Sequence, residues 1–191
     1  KLLKYEKTRG TRGRYTAGHL GQLRVRWRVN NDGWNSDIDY QAPRSDKPRI
    51  AIIGDSFVEA FQVAPKDNLE AVLRRQLGDD HDVYAFGFSG SPLAHYLQMA
   101  RYVNAGYDPD VLVFNVVQND FHQSLCEVRR PPGMLCYAEQ DGRFSEGDVI
   151  PFVHNPIKRL SRRSALVRYW YHNLGGRIDI PYLTRELDTN K

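Results

Sequence analysis

The chain has 191 residues, 41% hydrophobic and 12% aromatic, with 27 Lys and Arg against 23 Asp and Glu for a net charge of +4. That length supports one domain with a real core, burying roughly 70% of its extended-chain surface. No apolar run is long enough to cross a membrane as a helix, and no nucleic-acid-binding motif accompanies the basic excess. The excess lies toward the two ends, from Lys1 to Arg14 and from Lys158 to Arg168, where it reads as solvated surface. No signal-peptide pattern stands at residue 1, which leaves the compartment open.

Residues 1–47 are polar and rich in Arg, Gly and Asn, and they read as an N-terminal extension to a domain spanning 48–191. Leu23 to Val29 alternates apolar and basic residues, the period of a half-buried strand. Asn30-Asn31-Asp32-Gly33 is a turn signal and Trp34 begins the return, so the expectation is a small β-hairpin. Trp27 and Trp34 read as anchors that pin it to the main domain.

The chain then alternates between strand and helix. Strands are expected at 49–54, 82–87 and 111–117. The first helix runs from Asn68 to about Leu77, with Asp67 as N-cap, Glu70 as its capping-box partner and Gly78 at its end. Its inward face would carry Leu69, Val72, Leu73 and Gln76. A second helix runs from Leu93 to about Asn104, with Gly106 as C-cap and Leu93, Tyr96, Leu97, Ala100 and Val103 at helical spacing. Repeated β-α-β units of this kind require a parallel sheet. The 49–54 strand is expected in the middle, in flavodoxin-like order within a three-layer α/β unit.

After residue 120 the alternation breaks. Cys126 and Cys136 flank Pro131-Pro132-Gly133 like two arms of a loop, and a disulfide across it would suit an oxidising, extracytoplasmic compartment. Two cysteines without metal-type histidine spacing argue against zinc. A hairpin follows around Gln140-Asp141-Gly142. An amphipathic helix runs from Ile157 to about Leu174 and ends at Gly175-Gly176, before an irregular tail.

The chemistry-bearing residues sit where the three strands end. Ile50 to Ile53 runs straight into Gly54-Asp55-Ser56, so a serine hydroxyl follows a buried strand at the sheet end where open α/β folds place their sites. Alone, that tripeptide reads equally well as a turn or a helix N-cap. The second strand ends in Ser89-Gly90-Ser91 and the third in Gln118-Asn119-Asp120. This ordered set resembles the SGNH (GDSL-type) hydrolase family over roughly residues 48 to 125. Its first motif is matched in full by Gly54-Asp55-Ser56, and its second by Ser89-Gly90. Its third is matched by Asn119-Asp120, with Val117 in place of the usual glycine.

The resemblance implies that Ser56 is the nucleophile and that Gly90 and Asn119 build the oxyanion hole, with Asp55 and Asp120 in support. A glycine lets a backbone N–H approach closely, and an asparagine amide is a neutral donor. The rival Gly-x-Ser-x-Gly motif fails, since Ser91 stands where the second glycine belongs.

The family's last motif, Asp-x-x-His, is absent: no acidic residue stands three positions before any of the six histidines. The expectation is a C-terminally incomplete domain whose His/Asp pair lies beyond Lys191; the other account is a pseudo-enzyme or an unusual base. Among the histidines in hand, His122 is nearest to Asn119 in sequence and His154 is a further candidate. His95 follows the Gly90 loop, and His81 sits in a charged turn before the second strand.

Two functional readings result. One is a serine ester hydrolase acting through an acyl-enzyme, on a small-molecule or carbohydrate ester such as an acetylated sugar, with an O-acyltransferase as a close variant. The other is a non-catalytic binding module that keeps the fold. Neither calls for a cofactor or a metal ion.

Overall fold

The computed structural model describes residues 2–42, 45–152 and 164–173. Two compact units divide the chain: Lys1–Tyr15 with Val25–Val153, and Thr16–Arg24 with His154–Lys191. Near the N-terminus β1 (Arg12–Ala17) and β2 (Leu23–Arg28) pair as a two-stranded ribbon. The expected hairpin is corrected by this pairing. β2 is the alternating segment, but its partner precedes it, and beyond the Gly33 turn only Val29 and Asn35 form an isolated bridge. The turn itself forms, with Gly33 at φ 95° and Asn30 Oδ1 accepting the N–H groups of Asp32 and Trp34. Trp34 then leaves the strand direction and plunges into the core, edge-on to Phe86 with ring centroids 5.3 Å apart.

The first unit is organised on a parallel sheet of β3 (Arg49–Gly54), β4 (Asp82–Gly87) and β5 (Val111–Asn115), in the order β4-β3-β5. The strand from 49 is central, as expected from flavodoxin-like order. Side chains alternate across the sheet and divide its core in two. Ala51, Ile53, Tyr84 and Phe86 face one side and pack with Tyr96, Met99, Val103 and Tyr107 of α3 (Leu93–Tyr107). Ile52, Val83 and Ala85 face the other and meet Leu73 and Leu77 of α2 (Leu69–Leu77). Both faces of β3 and β4 are therefore covered, which is the three-layer arrangement. β5 differs: among the described residues it is an edge strand, with Val111, Val113 and Phe114 exposed. It also ends at Asn115 rather than 117, because β3 turns away at Gly54 and offers no further pairing.

Several helix ends depart from expectation for local reasons. Pro65–Asp67 forms a 3₁₀ turn, so the N-cap of α2 moves one residue to Asn68, whose Oδ1 accepts the Ala71 N–H at 2.8 Å. Leu69 is then exposed, and the buried first-turn residues are Glu70 and Ala71. α3 continues through Gly106 to Tyr107, since Tyr107 buries in the core and Asp108 takes the left-handed cap at φ 44°.

Glu70 is held from the N-terminal extension: Ser36 Oγ and Tyr40 OH both donate to it, and Arg74 pairs with it at 3.1 Å. Burial outweighs these anion-favouring partners and pushes its carboxyl from 4.5 up to about 8. The folded state thus keeps a proton that the unfolded chain releases above its ordinary value. Glu70 therefore favours folding at the acid end, and that advantage is lost as pH rises between 4.5 and about 8. Thermal denaturation at pH 5 and pH 8 should show the melting temperature of the wild type falling further than that of Glu70→Gln. Parallel falls would contradict this.

Beyond β5 the chain enters α4 (Gln118–His122), then a loop closed by the Cys126–Cys136 disulfide, then the antiparallel hairpin of β6 (Tyr137–Gln140) and β7 (Arg143–Glu146). The expected disulfide and hairpin both form. In the second unit a 3₁₀ turn at His19–Gly21 meets α5 (Ala165–Asn173) through the Leu20 N–H and the Tyr169 hydroxyl, 3.2 Å apart. Of the helix expected from Ile157 to Leu174, Ser164 precedes α5 and is not helical, while residues 157–163, Leu174, Gly175-Gly176 and His154 lie outside the described residues.

Candidate active site at the carboxyl end of the sheet

The register brings the three motif-bearing strand ends level. Gly54 of β3 pairs with Gly87 of β4 on one side and with Asn115 of β5 on the other. Ser56, Gly90 and Asn119 follow these aligned ends on neighbouring parallel strands, so all three leave the sheet at one edge. The Phe88 N–H donates to the Gly54 carbonyl at 3.2 Å, extending the β3–β4 contact into the loops.

Ser56 opens α1 (Ser56–Glu59), a single turn capped by Asp55, whose Oδ1 accepts the Phe57 N–H at 2.9 Å. This is the N-cap that Gly-Asp-Ser admits, and it fixes the serine backbone. Ser56 Oγ lies 3.4 Å from Asp55 Oδ2, a long contact that leaves the hydroxyl lightly held. The second motif forms a turn closed by the Ser91 N–H on the Phe88 carbonyl at 3.1 Å. Gly90 sits there at φ 77°, a left-handed position that a glycine occupies without strain.

In the third motif Asp120 is fully buried and organises α4. Its Oδ2 accepts the Val117 N–H at 2.9 Å and the Tyr96 hydroxyl at 2.8 Å. Burial, then the Asp120 carboxylate, hold the Tyr96 phenol well above its ordinary range, so it remains a donor. Its hydroxyl also interacts with the Asp55 backbone, which ties the first motif to the third. Asn119 projects from this turn with an exposed side chain, its Nδ2 3.5 Å from Asp120 Oδ1 and so not engaged there. Ser124 Oγ completes the support, donating to the Asp120 carbonyl and accepting the Ala94 N–H.

Glu59 escaped the sequence reading. It ends α1, one turn beyond Ser56, and is buried. Ser89 Oγ and the Tyr5 hydroxyl both donate to its carboxylate, and its own carbonyl accepts Asn35 Nδ2 at 2.6 Å. Burial raises its pKa despite these donors. Glu59 thus joins the Ser56 turn to the Ser89–Gly90 loop. No sequence motif signals that link, because a glutamate in a helix normally reads as solvated surface.

Among the described residues the Ser56 side chain bonds only Asp55, and no histidine reaches it. His122 is exposed at the end of α4. His81 precedes β4 at its amino end, opposite the site. His95 is buried in α3, where burial lowers its imidazole to about 4 and neither ring nitrogen finds a partner among the described residues. Those residues contain no cluster of His, Cys, Asp and Glu able to hold a metal ion.

The GDSL-like Lipase/Acylhydrolase family matches over residues 50–187, most of the chain and all three motifs. The chain belongs to that family. Comparison with curated proteins and with solved structures gave no significant match. As a GDSL-type protein it is classed as a hydrolase, and the parallel sheet with helices on both faces is the α/β architecture expected of an SGNH-like fold.

Proposed function

We propose that this GDSL-type hydrolase cleaves esters through an acyl-enzyme on Ser56, with acetylated carbohydrate as the substrate class. The observation that carries the reading is the level register of β4, β3 and β5, which delivers Ser56, Gly90 and Asn119 to one sheet edge. Ser56 Oγ attacks the ester carbonyl. The oxyanion that forms is met by the Ser56 N–H, the Gly90 N–H and the Asn119 amide, and water then releases the acid. Asp55 and Asp120 hold the two turns that aim these donors. Glu59 holds the third, by anchoring Ser89 beside Gly90. If a sugar hydroxyl replaces water, the same acyl-enzyme serves an O-acyltransferase.

The general base is the member this sequence does not supply in the family's form. A serine at its free pKa is a poor nucleophile. Residues 1–191 are therefore expected to hydrolyse p-nitrophenyl acetate barely above background. A longer protein, read past codon 191 and carrying Asp-x-x-His, is expected to be active. An active 1–191 chain would contradict this, and His122→Ala and His154→Ala, assayed separately, would then locate the base. A stop codon without that motif would favour the binding-module reading.

Glu59→Gln keeps the side chain's shape but replaces one acceptor oxygen with a donor, so it cannot accept both hydroxyls as before. In any form that carries Asp-x-x-His and is active, its kcat should fall by about tenfold or more, with KM little changed. A parallel change in KM alone would mean that Glu59 serves binding rather than the oxyanion loop.

A further inference from the structure

The excursion after β5 sets a cation against the glycine of the second motif. A methyl group built on Gly90 would lie 3.2 Å from Arg129 Nη2 and 3.9 Å from its Cζ. The guanidinium thus covers the side of Gly90 where any other residue would carry its Cβ. Arg129 is firmly placed. Its N–H donates to the Leu125 carbonyl at 3.0 Å, Nη1 donates to Gln123 Oε1 at 2.5 Å, and the Cys126–Cys136 bridge closes the loop that carries it.

Among the described residues no carboxylate pairs with Arg129, although the side chain is half-buried. Gln123 orients the guanidinium without neutralising it. A partly desolvated charge held in place without a counter-ion is poised for one from outside, and the planar fork of arginine matches carboxylate and phosphate oxygens.

We infer that Arg129 recognises an anionic group on the substrate, beside the ester carbonyl that Ser56 attacks. The substrate class is an acyl ester of an acidic carbohydrate, bearing a uronic-acid carboxylate or a sugar phosphate. The inference rests on the esterase reading, and it turns the neutral acetylated sugar of that reading into a charged one.

Binding can be read without turnover. In ¹⁵N-labelled 1–191, the Gly90 amide and the Arg129 Nε–H are followed while glucuronate, glucose 6-phosphate or methyl glucoside is added at matched ionic strength. Saturable shifts are expected with at least one anion and none with methyl glucoside. Arg129→Met should weaken anion binding by at least about tenfold, with Arg129→Lys between the two. Shifts confined to glucuronate identify a uronic acid as the source, and shifts confined to the phosphate identify a phosphorylated sugar. An equal response to methyl glucoside, anion binding that survives Arg129→Met with the other resonances unmoved, or no response to either anion at tens of millimolar would overturn the inference. The esterase reading is tested separately, in an active form that carries Asp-x-x-His: turnover there that does not depend on Ser56 would end that reading whatever the anions do.

Discussion

In a longer protein that carries the Asp-x-x-His pair, Ser56→Ala is expected to lower kcat by on the order of 10⁴-fold or more, as removal of a nucleophile does in other serine hydrolases. Alanine leaves the α1 turn intact, because the cap on Phe57 comes from Asp55 and not from Ser56. The loss should therefore appear in turnover and not in melting temperature. Asn119→Ala should be milder, about 10²–10³ in kcat, the cost of one oxyanion donor. Its side chain is exposed and bonds nothing needed for the fold, so stability should again be untouched. Asp120→Ala should behave differently and lose stability as well as activity. That carboxylate is buried and accepts both the Val117 N–H and the Tyr96 hydroxyl, which would be left without it. Parallel steady-state kinetics and thermal melts on the three variants separate these roles. Equal effects on stability in all three would contradict the assignment.

The second large effect is expected at Gly87→Ala. Gly87 closes β4, directly against the α1 turn that begins at Ser56. A Cβ there would stand 2.1 Å from the Glu59 backbone nitrogen, 2.6 Å from the Val58 carbonyl carbon and 2.7 Å from Glu59 Cα. All three are backbone atoms, so no side chain can swing aside. Either α1 lifts off the sheet or β4 withdraws from β3, and both routes break packing between buried segments. Overpacking of this kind costs about 3 kcal/mol. The site should fail together with the fold, since the displaced turn carries Ser56. Chemical denaturation would show a lower midpoint for Gly87→Ala. By contrast, Gly106→Ala meets nothing within 4 Å and should be tolerated. Equal stability of the two variants would contradict the close approach of α1 to β4.

The sequence made the sheet and its edge legible because both signals are local. Ile50 to Ile53 and Val83 to Phe86 are apolar on both faces, which only a covered strand can satisfy, and each motif follows its strand within a few residues. The order β4-β3-β5 is the flavodoxin-like order expected of this α/β unit. What depended on distant partners was harder to see. The partner of β2 is Arg12–Ala17, a polar stretch with a glycine inside it, and nothing in that composition marks a strand. Its Gly13 is needed because Trp27 lies where a Cβ would point, a fact visible only once the ribbon is paired. Likewise no sequence motif marks Glu59 or Arg129. Each meets the Ser89-Gly90 loop, which is far away along the chain and adjacent in space. The shift of the α2 cap from Asp67 to Asn68 has another cause: both residues are good caps, and the 3₁₀ turn at Pro65–Asp67 decided between them.

The central claim is that Ser56 is the nucleophile, and covalent trapping tests it most directly. A form of the protein that carries an Asp-x-x-His pair and turns over ester is treated with diisopropyl fluorophosphate, and the adduct is located by peptide mass mapping. The account predicts stoichiometric labelling on Ser56, with activity lost in proportion and no labelling of Ser56→Ala. An adduct on another serine such as Ser89, or full turnover with Ser56 unmodified, would contradict it.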